Sequence, residues 1–150
     1  MILQFNENKE FSHIGLGLDL TERTLQNDLK KQGHPWTLAK SFQRSAPLSA
    51  LVALDSLKIG DFSTWWSQLK IELYLDSQLV QTGHTQDMIF NPFLLKDFVL
   101  EHFPVEKDDL LFTGTPSGVG AMKIGSQGRA LLTWQRDSQS QVIIDWSFHV

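Results

Sequence analysis

The sequence predicts an α+β domain dominated by antiparallel sheet, and three observations carry that prediction. Segments such as KIELYLD (70–76), RALLTW (129–134) and QVIIDWSF (141–148) alternate apolar and polar residues in period two. Turn-forming residues separate them at short intervals. Only two stretches have helical pattern and capping signals, so helices are the minority element.

Taken in order, IGLGLDL (14–20) reads as a short buried strand in which Gly15 and Gly17 allow close backbone approach. Residues 22–32 read as a short helix with Leu25 and Leu29 on one face, and Gly33, His34 and Pro35 end it. Arg23 and Gln26 are three apart on that helix, and are expected to point together away from the leucines. KIELYLD followed by SQLVQTG reads as a hairpin turning at Asp76 and Ser77. In NPFLLKDFVLEHF (91–103), Asn91 is the expected N-cap and Pro92 the first helical residue. DLLFTG (109–114) reads as a buried strand entering the loop TPSGVGAMKIGSQG, and two alternating strands finish the chain. With no repeat, linker or internal boundary, residues 1–150 are expected to form one domain.

Composition narrows the function. The 150 residues are 41% hydrophobic and 11% aromatic, enough to fill a core. Thirteen basic residues against 17 acidic ones give a net charge of -4 without blocks of one sign, which argues against a nucleic-acid surface or a polybasic membrane anchor. With no cysteine, disulfides, thiolate catalysis and cysteine-ligated metals are excluded. No apolar run approaches the roughly 18 to 20 residues that span a bilayer, and MILQFNENKE lacks the pattern of a signal peptide. A cytoplasmic protein is the expectation.

Several residues could carry chemistry. Asp19 lies between Leu18 and Leu20, where a buried carboxylate would need a partner. Spacing leaves two readings open: it caps the helix or pairs with Arg23, or it ligates magnesium, manganese or calcium. Lys40, in WTLAKSF, either snorkels to the surface or stabilises an enolate from a pocket. TGTPSGVG (113–120) offers hydroxyls and backbone amides but is not a phosphate-binding P-loop, lacking Gly-Lys-Ser/Thr. The five histidines are not at metal-ligand spacings, His84 alone being held in reserve, and no nucleophile elbow supports a serine hydrolase. Trp65 and Trp66 read as core or interface anchors.

LDLTERTLQ, KQGHPWTLAKSF, APLS, GHTQDMIF and LLFTGTPSGVG together resemble, in order and spacing, the fumarylacetoacetate hydrolase family. The likeness is greatest to its acylpyruvase, oxaloacetate decarboxylase and hydroxyheptadienedioate isomerase branch. The resemblance implies a mixed β-sandwich roll, usually a homodimer. It also implies a divalent cation, magnesium or else manganese or calcium, and cleavage, decarboxylation or isomerisation of a small keto acid or 1,3-dicarbonyl compound. By the same resemblance Asp19 is a metal ligand, Lys40 the active-site lysine, Arg23 and Gln26 substrate-orienting groups, and Gly114 and Thr115 substrate contacts.

Three departures stand out. The family's Glu-x-Glu metal pair, and the His and Glu that activate water, lie upstream of LDLT. No such pair is found here, so the chain is expected to be the C-terminal part of the catalytic domain without its N-terminal strands, binding metal weakly alone and active only when those strands are supplied by a longer natural chain or by a partner polypeptide; a homodimer or a complex with a partner chain is expected. A catalytically incomplete assembly or binding module is the alternative. Thr24 stands where the family usually has Asp, and Ser126 follows Gly125 where Gly-Asp is usual; the second is expected to matter only to a turn.

Overall fold

The structure is a computed structural model that describes residues 1–136 and 138–150. The chain divides into two compact units, Met1–Leu16 with Ser49–Val150, and Gly17–Leu48. The larger holds two four-stranded antiparallel sheets, in agreement with the α+β prediction.

The first sheet has the order β3-β2-β1-β6, formed by β1 (Ile2–Phe5), β2 (Phe11–Gly15), β3 (Val52–Ala53) and β6 (Leu110–Phe112). Strand β1 is internal, with Ile2 opposite both Gly15 and Phe112. Met1, Ile2, Leu3 and Phe5 are all buried. A strand covered on both faces shows a continuous apolar run instead of alternation, which is why MILQF carries no period-two signal. Phe5, Phe11, Phe62, Trp65 and Phe93 form an aromatic cluster with ring centroids 5.0 to 6.3 Å apart. It joins this sheet to the short helix α2 (Phe62–Trp65) and to α3 (Pro92–His102). Trp65 is buried with its indole N–H on the Gly60 carbonyl, an anchor of the core as expected.

The second sheet, in the order β5-β4-β7-β8, contains β4 (Leu69–Leu75), β5 (Gln78–His84), β7 (Gln127–Arg136) and β8 (Gln139–His149). Here alternation is plain. Ala130, Leu132 and Trp134 are buried on one face, opposite Leu73, Ile71 and Leu69 in register. The β4–β5 turn falls at Asp76 and Ser77, both with positive φ, as a two-residue hairpin loop requires. Ser126 turns out to serve that turn: its hydroxyl and the Gln127 backbone N–H both donate to the Asp76 carboxylate at 2.9 Å. These bonds, the Gln127 one foremost, hold the Asp76 carboxyl below the usual carboxylate range. Helix α3 starts as the sequence predicts, with the Asn91 side chain accepting from Phe93 N and Leu94 N.

The smaller unit is built on α1 (Arg23–Lys31). Its N-cap is Glu22, whose carboxylate accepts from Leu25 N, so Asp19 is not the cap. Strand β2 ends at Gly15, short of the predicted 14–20. Beyond it Gly17 bridges Leu48, and Leu18 N and Leu20 N donate to Pro47 O and Ser45 O.

Candidate active site

Asp19 is exposed, not buried as its apolar neighbours suggested. In an extended segment adjacent side chains face opposite ways, so flanking leucines that turn inward direct residue 19 outward. Its partner is Lys40 rather than Arg23: the Lys40 ammonium stands 2.6 Å from Asp19 Oδ1, with the lysine side chain 24% exposed and the aspartate 60%. Lys40 Nζ also donates to Thr21 Oγ1 at 2.8 Å and to the Leu20 carbonyl at 3.3 Å. All three ammonium protons therefore have acceptors on residues 19–21, and the weakest, on the Leu20 carbonyl, is the one a ligand oxygen would replace most easily. The 3-10 turn Thr37–Ala39 places Lys40, whose N–H closes on Thr37 O, while Glu22 N donates to Ala39 O.

Arg23 and Gln26 are neighbours as predicted, with Arg23 Nη1 donating to Gln26 Oε1 at 3.0 Å. Their orientation differs from the prediction. Gln26 is the buried residue of α1, and Leu25 is 36% exposed. Leu29 is also three residues from Gln26, so the glutamine shares a face with that leucine instead of opposing it. Burial leaves Gln26 as the fixed member of the pair, and exposed Arg23 keeps further guanidinium donors for a carboxylate.

Gly114 and Thr115 belong to the larger unit. Thr113 donates through both its backbone N–H and its hydroxyl to Met1 O, which anchors the loop after β6. Gly114 adopts φ +103°, a conformation that explains the glycine without any steric crowding. Thr115 is exposed, and its hydroxyl oxygen accepts from Gln81 Nε2 at 3.1 Å. No motif in the sequence marks Thr21 or Gln81 as a partner of the site residues. A hydroxyl two residues after Asp19 was at least visible, whereas nothing in QLVQTG signals a contact 34 residues away.

The donor set does not make a cation site by itself. Hard divalent cations take six or more oxygens, yet Asp19 is engaged by Lys40. Among the described residues no group of three or more His, Cys, Asp or Glu could hold a metal ion. His84 is exposed and joins no such group. Nor, among the described residues, is any helix long and apolar enough to cross a membrane.

A family model described as fumarylacetoacetate (FAA) hydrolase C-terminal matches residues 13–142, and the chain belongs to that family. Oxaloacetate tautomerase FAHD1, mitochondrial, of Rattus norvegicus is 44% identical over 108 residues, which are 72% of this chain and 46% of the relative. The chain thus spans about half the length of that relative. Among solved structures, yeast ynq8, a fumarylacetoacetate hydrolase family protein, superposes with a TM-score of 0.82 at 28% identity, covering 97% of this chain and 59% of that one. Fumarylpyruvate hydrolase from Pseudomonas aeruginosa, in complex with Mn2+ and pyruvate, gives a TM-score of 0.76 at 25% identity, covering 87% and 58%.

Proposed function

We propose that this chain carries the enolate-stabilising side of an enzyme acting on a small keto acid or 1,3-dicarbonyl compound, such as oxaloacetate or an acylpyruvate. The observation that carries the proposal is the Lys40 ammonium, held by Asp19, Thr21 and the Leu20 carbonyl but still part-exposed. Tautomerisation, decarboxylation and hydrolytic carbon-carbon cleavage of such compounds all develop negative charge on a carbonyl oxygen. A fixed ammonium lowers the energy of that charge. Lys40 gives up its bond to the Leu20 carbonyl and donates to the enolate oxygen instead. Arg23, steadied by Gln26, binds a substrate carboxylate. Within the larger unit, Gly114 and Thr115 are proposed as substrate contacts on the strength of the family motif.

Asp19 is proposed as one ligand of a divalent cation, a role favoured by the manganese in the Pseudomonas structure. As a single carboxylate it supports only weak binding, with a magnesium dissociation constant on the order of millimolar. The same shortage favours a second reading, a catalytically incomplete member kept for assembly. Self-association or a partner chain is part of the proposal too, since Phe90, Leu94 and Phe98 expose 55 to 60% of their surface along one face of α3 and its lead-in. Light scattering that gives only monomer mass would remove that part.

The deciding experiment offers oxaloacetate and an acylpyruvate to the purified chain across micromolar to millimolar magnesium and manganese, with products identified by nuclear magnetic resonance. Turnover that saturates only at millimolar metal is expected, and the product separates tautomerisation, decarboxylation and hydrolysis. A chain inert toward both compounds at every metal concentration would favour the assembly reading, and micromolar metal binding would refute the assignment of one carboxylate.

A further inference from the structure

We propose that Gln81 is a positioning residue that fixes Thr115 as a hydrogen-bond donor toward a carboxylate or carbonyl oxygen of the substrate; this rests on the substrate role proposed above for Thr115. Gln81 lies on the edge strand β5, outside the motifs that mark the site. Its Nε2 is 2.8 Å from Pro116 O, 3.1 Å from Thr115 Oγ1 and 3.4 Å from Ser117 O. Backbone carbonyls only accept, so two of them facing one end of the amide identify that end as the NH2 group. The Thr115 oxygen consequently receives a proton from Gln81, and its own O–H must point elsewhere. Because Thr115 is exposed, that elsewhere is solvent or a bound oxygen.

The same strand seats the loop by shape. A Cβ on Gly118 would lie 2.3 Å from Val80 O, and one on Gly83 would lie 2.8 Å from Pro116 Cβ. Neither glycine can become alanine without moving backbone or the proline ring. Residues 80, 81 and 83 thus form a bed for residues 115–118, with Gln81 as its polar clamp. A glutamate at position 81 would set a carboxylate against two carbonyl oxygens and accept the Thr115 proton, turning the hydroxyl's lone pairs toward the ligand.

The test compares Gln81→Met, Gln81→Glu, Thr115→Val and the Gln81→Met/Thr115→Val double variant, with oxalate as the dicarboxylate probe and amide hydrogen exchange over residues 113–118 as a second readout. Gln81→Met should weaken oxalate by about tenfold, the worth of one good hydrogen bond. Thr115→Val should cost about the same, and the double variant no more than either alone. Gln81→Glu should lose more than Gln81→Met; should it fail to fold, the other three variants carry the test, and the non-additivity of Gln81→Met with Thr115→Val is the result that a role confined to loop stability does not produce. Additive losses, or unchanged loop exchange in Gln81→Met, would overturn the proposal. A wild-type chain that neither binds oxalate nor turns over oxaloacetate would instead count against the reading of the preceding subsection. Loop exchange alone would then decide whether Gln81 clamps the loop.

Discussion

Replacing Lys40 with methionine keeps an unbranched apolar stem and deletes the ammonium with its three bonds. The cost to folding is small, because Asp19 is 60% exposed and simply rehydrates when its partner is gone. An exposed ion pair contributes roughly 0.2 to 1 kcal/mol, and the bond to Thr21 adds on the order of 1 kcal/mol, so the loss of stability is about 1 to 2 kcal/mol. The cost to an enolate-like ligand is larger. A hydrogen bond to a charged partner is worth about 1.5 to 3 kcal/mol, which corresponds to a loss of roughly tenfold to a hundredfold in affinity. Urea denaturation measures the first quantity and calorimetric titration with oxalate, a planar analogue of pyruvate enolate, the second. Oxalate affinity unchanged within about threefold would refute the reasoning, most clearly if stability fell by several kcal/mol and showed the lysine to be structural.

Three further outcomes follow from the geometry. Burial lowers the Met1 α-amino group from 8.0 to about 6. In that window the unfolded chain binds more protons than the folded one, so the penalty for the buried ammonium is full below about pH 6 and fades as pH rises toward 8. The difference between those limits is about 3 kcal/mol, measurable as a rise in denaturation midpoint that N-terminal acetylation should abolish; a midpoint that falls over this range contradicts it. Phe62→Ala should destabilise by about 3 to 5 kcal/mol, since its ring lies within 6.3 Å of Phe11, Trp65 and Phe93, and a loss under about 1 kcal/mol would show that the cluster does not share the load. Asp19→Asn should abolish even millimolar magnesium binding followed by calorimetry; unaltered binding would place the cation elsewhere.

What could be read from sequence depended on how local the determinant was. The Asp76–Ser77 turn, the Asn91 cap and the alternating strands β7 and β8 are set by residues within a few positions of one another, and all were legible. Strand β1 was not, because a strand buried on both faces has no alternation to detect. Asp19 is marked by motif but its environment is not: apolar neighbours point to burial, although the period of an extended chain puts the middle residue on the opposite face. The Asp19–Lys40 pair and the Gln81–Thr115 contact join positions 21 and 34 residues apart, a distance at which spacing says nothing. Only the family resemblance put Asp19, Arg23, Gln26 and Lys40 in one place, and it did not specify which would touch.

Proton exchange at C3 of pyruvate tests most directly whether Lys40 stabilises an enolate. Pyruvate in deuterium oxide loses its methyl protons only through the enol or enolate, and the loss can be followed by nuclear magnetic resonance with the purified chain and millimolar magnesium. Wild type should accelerate the exchange above the metal-only background, and Lys40→Met should return it to that background while remaining folded. Equal exchange rates for wild type and Lys40→Met would contradict the account.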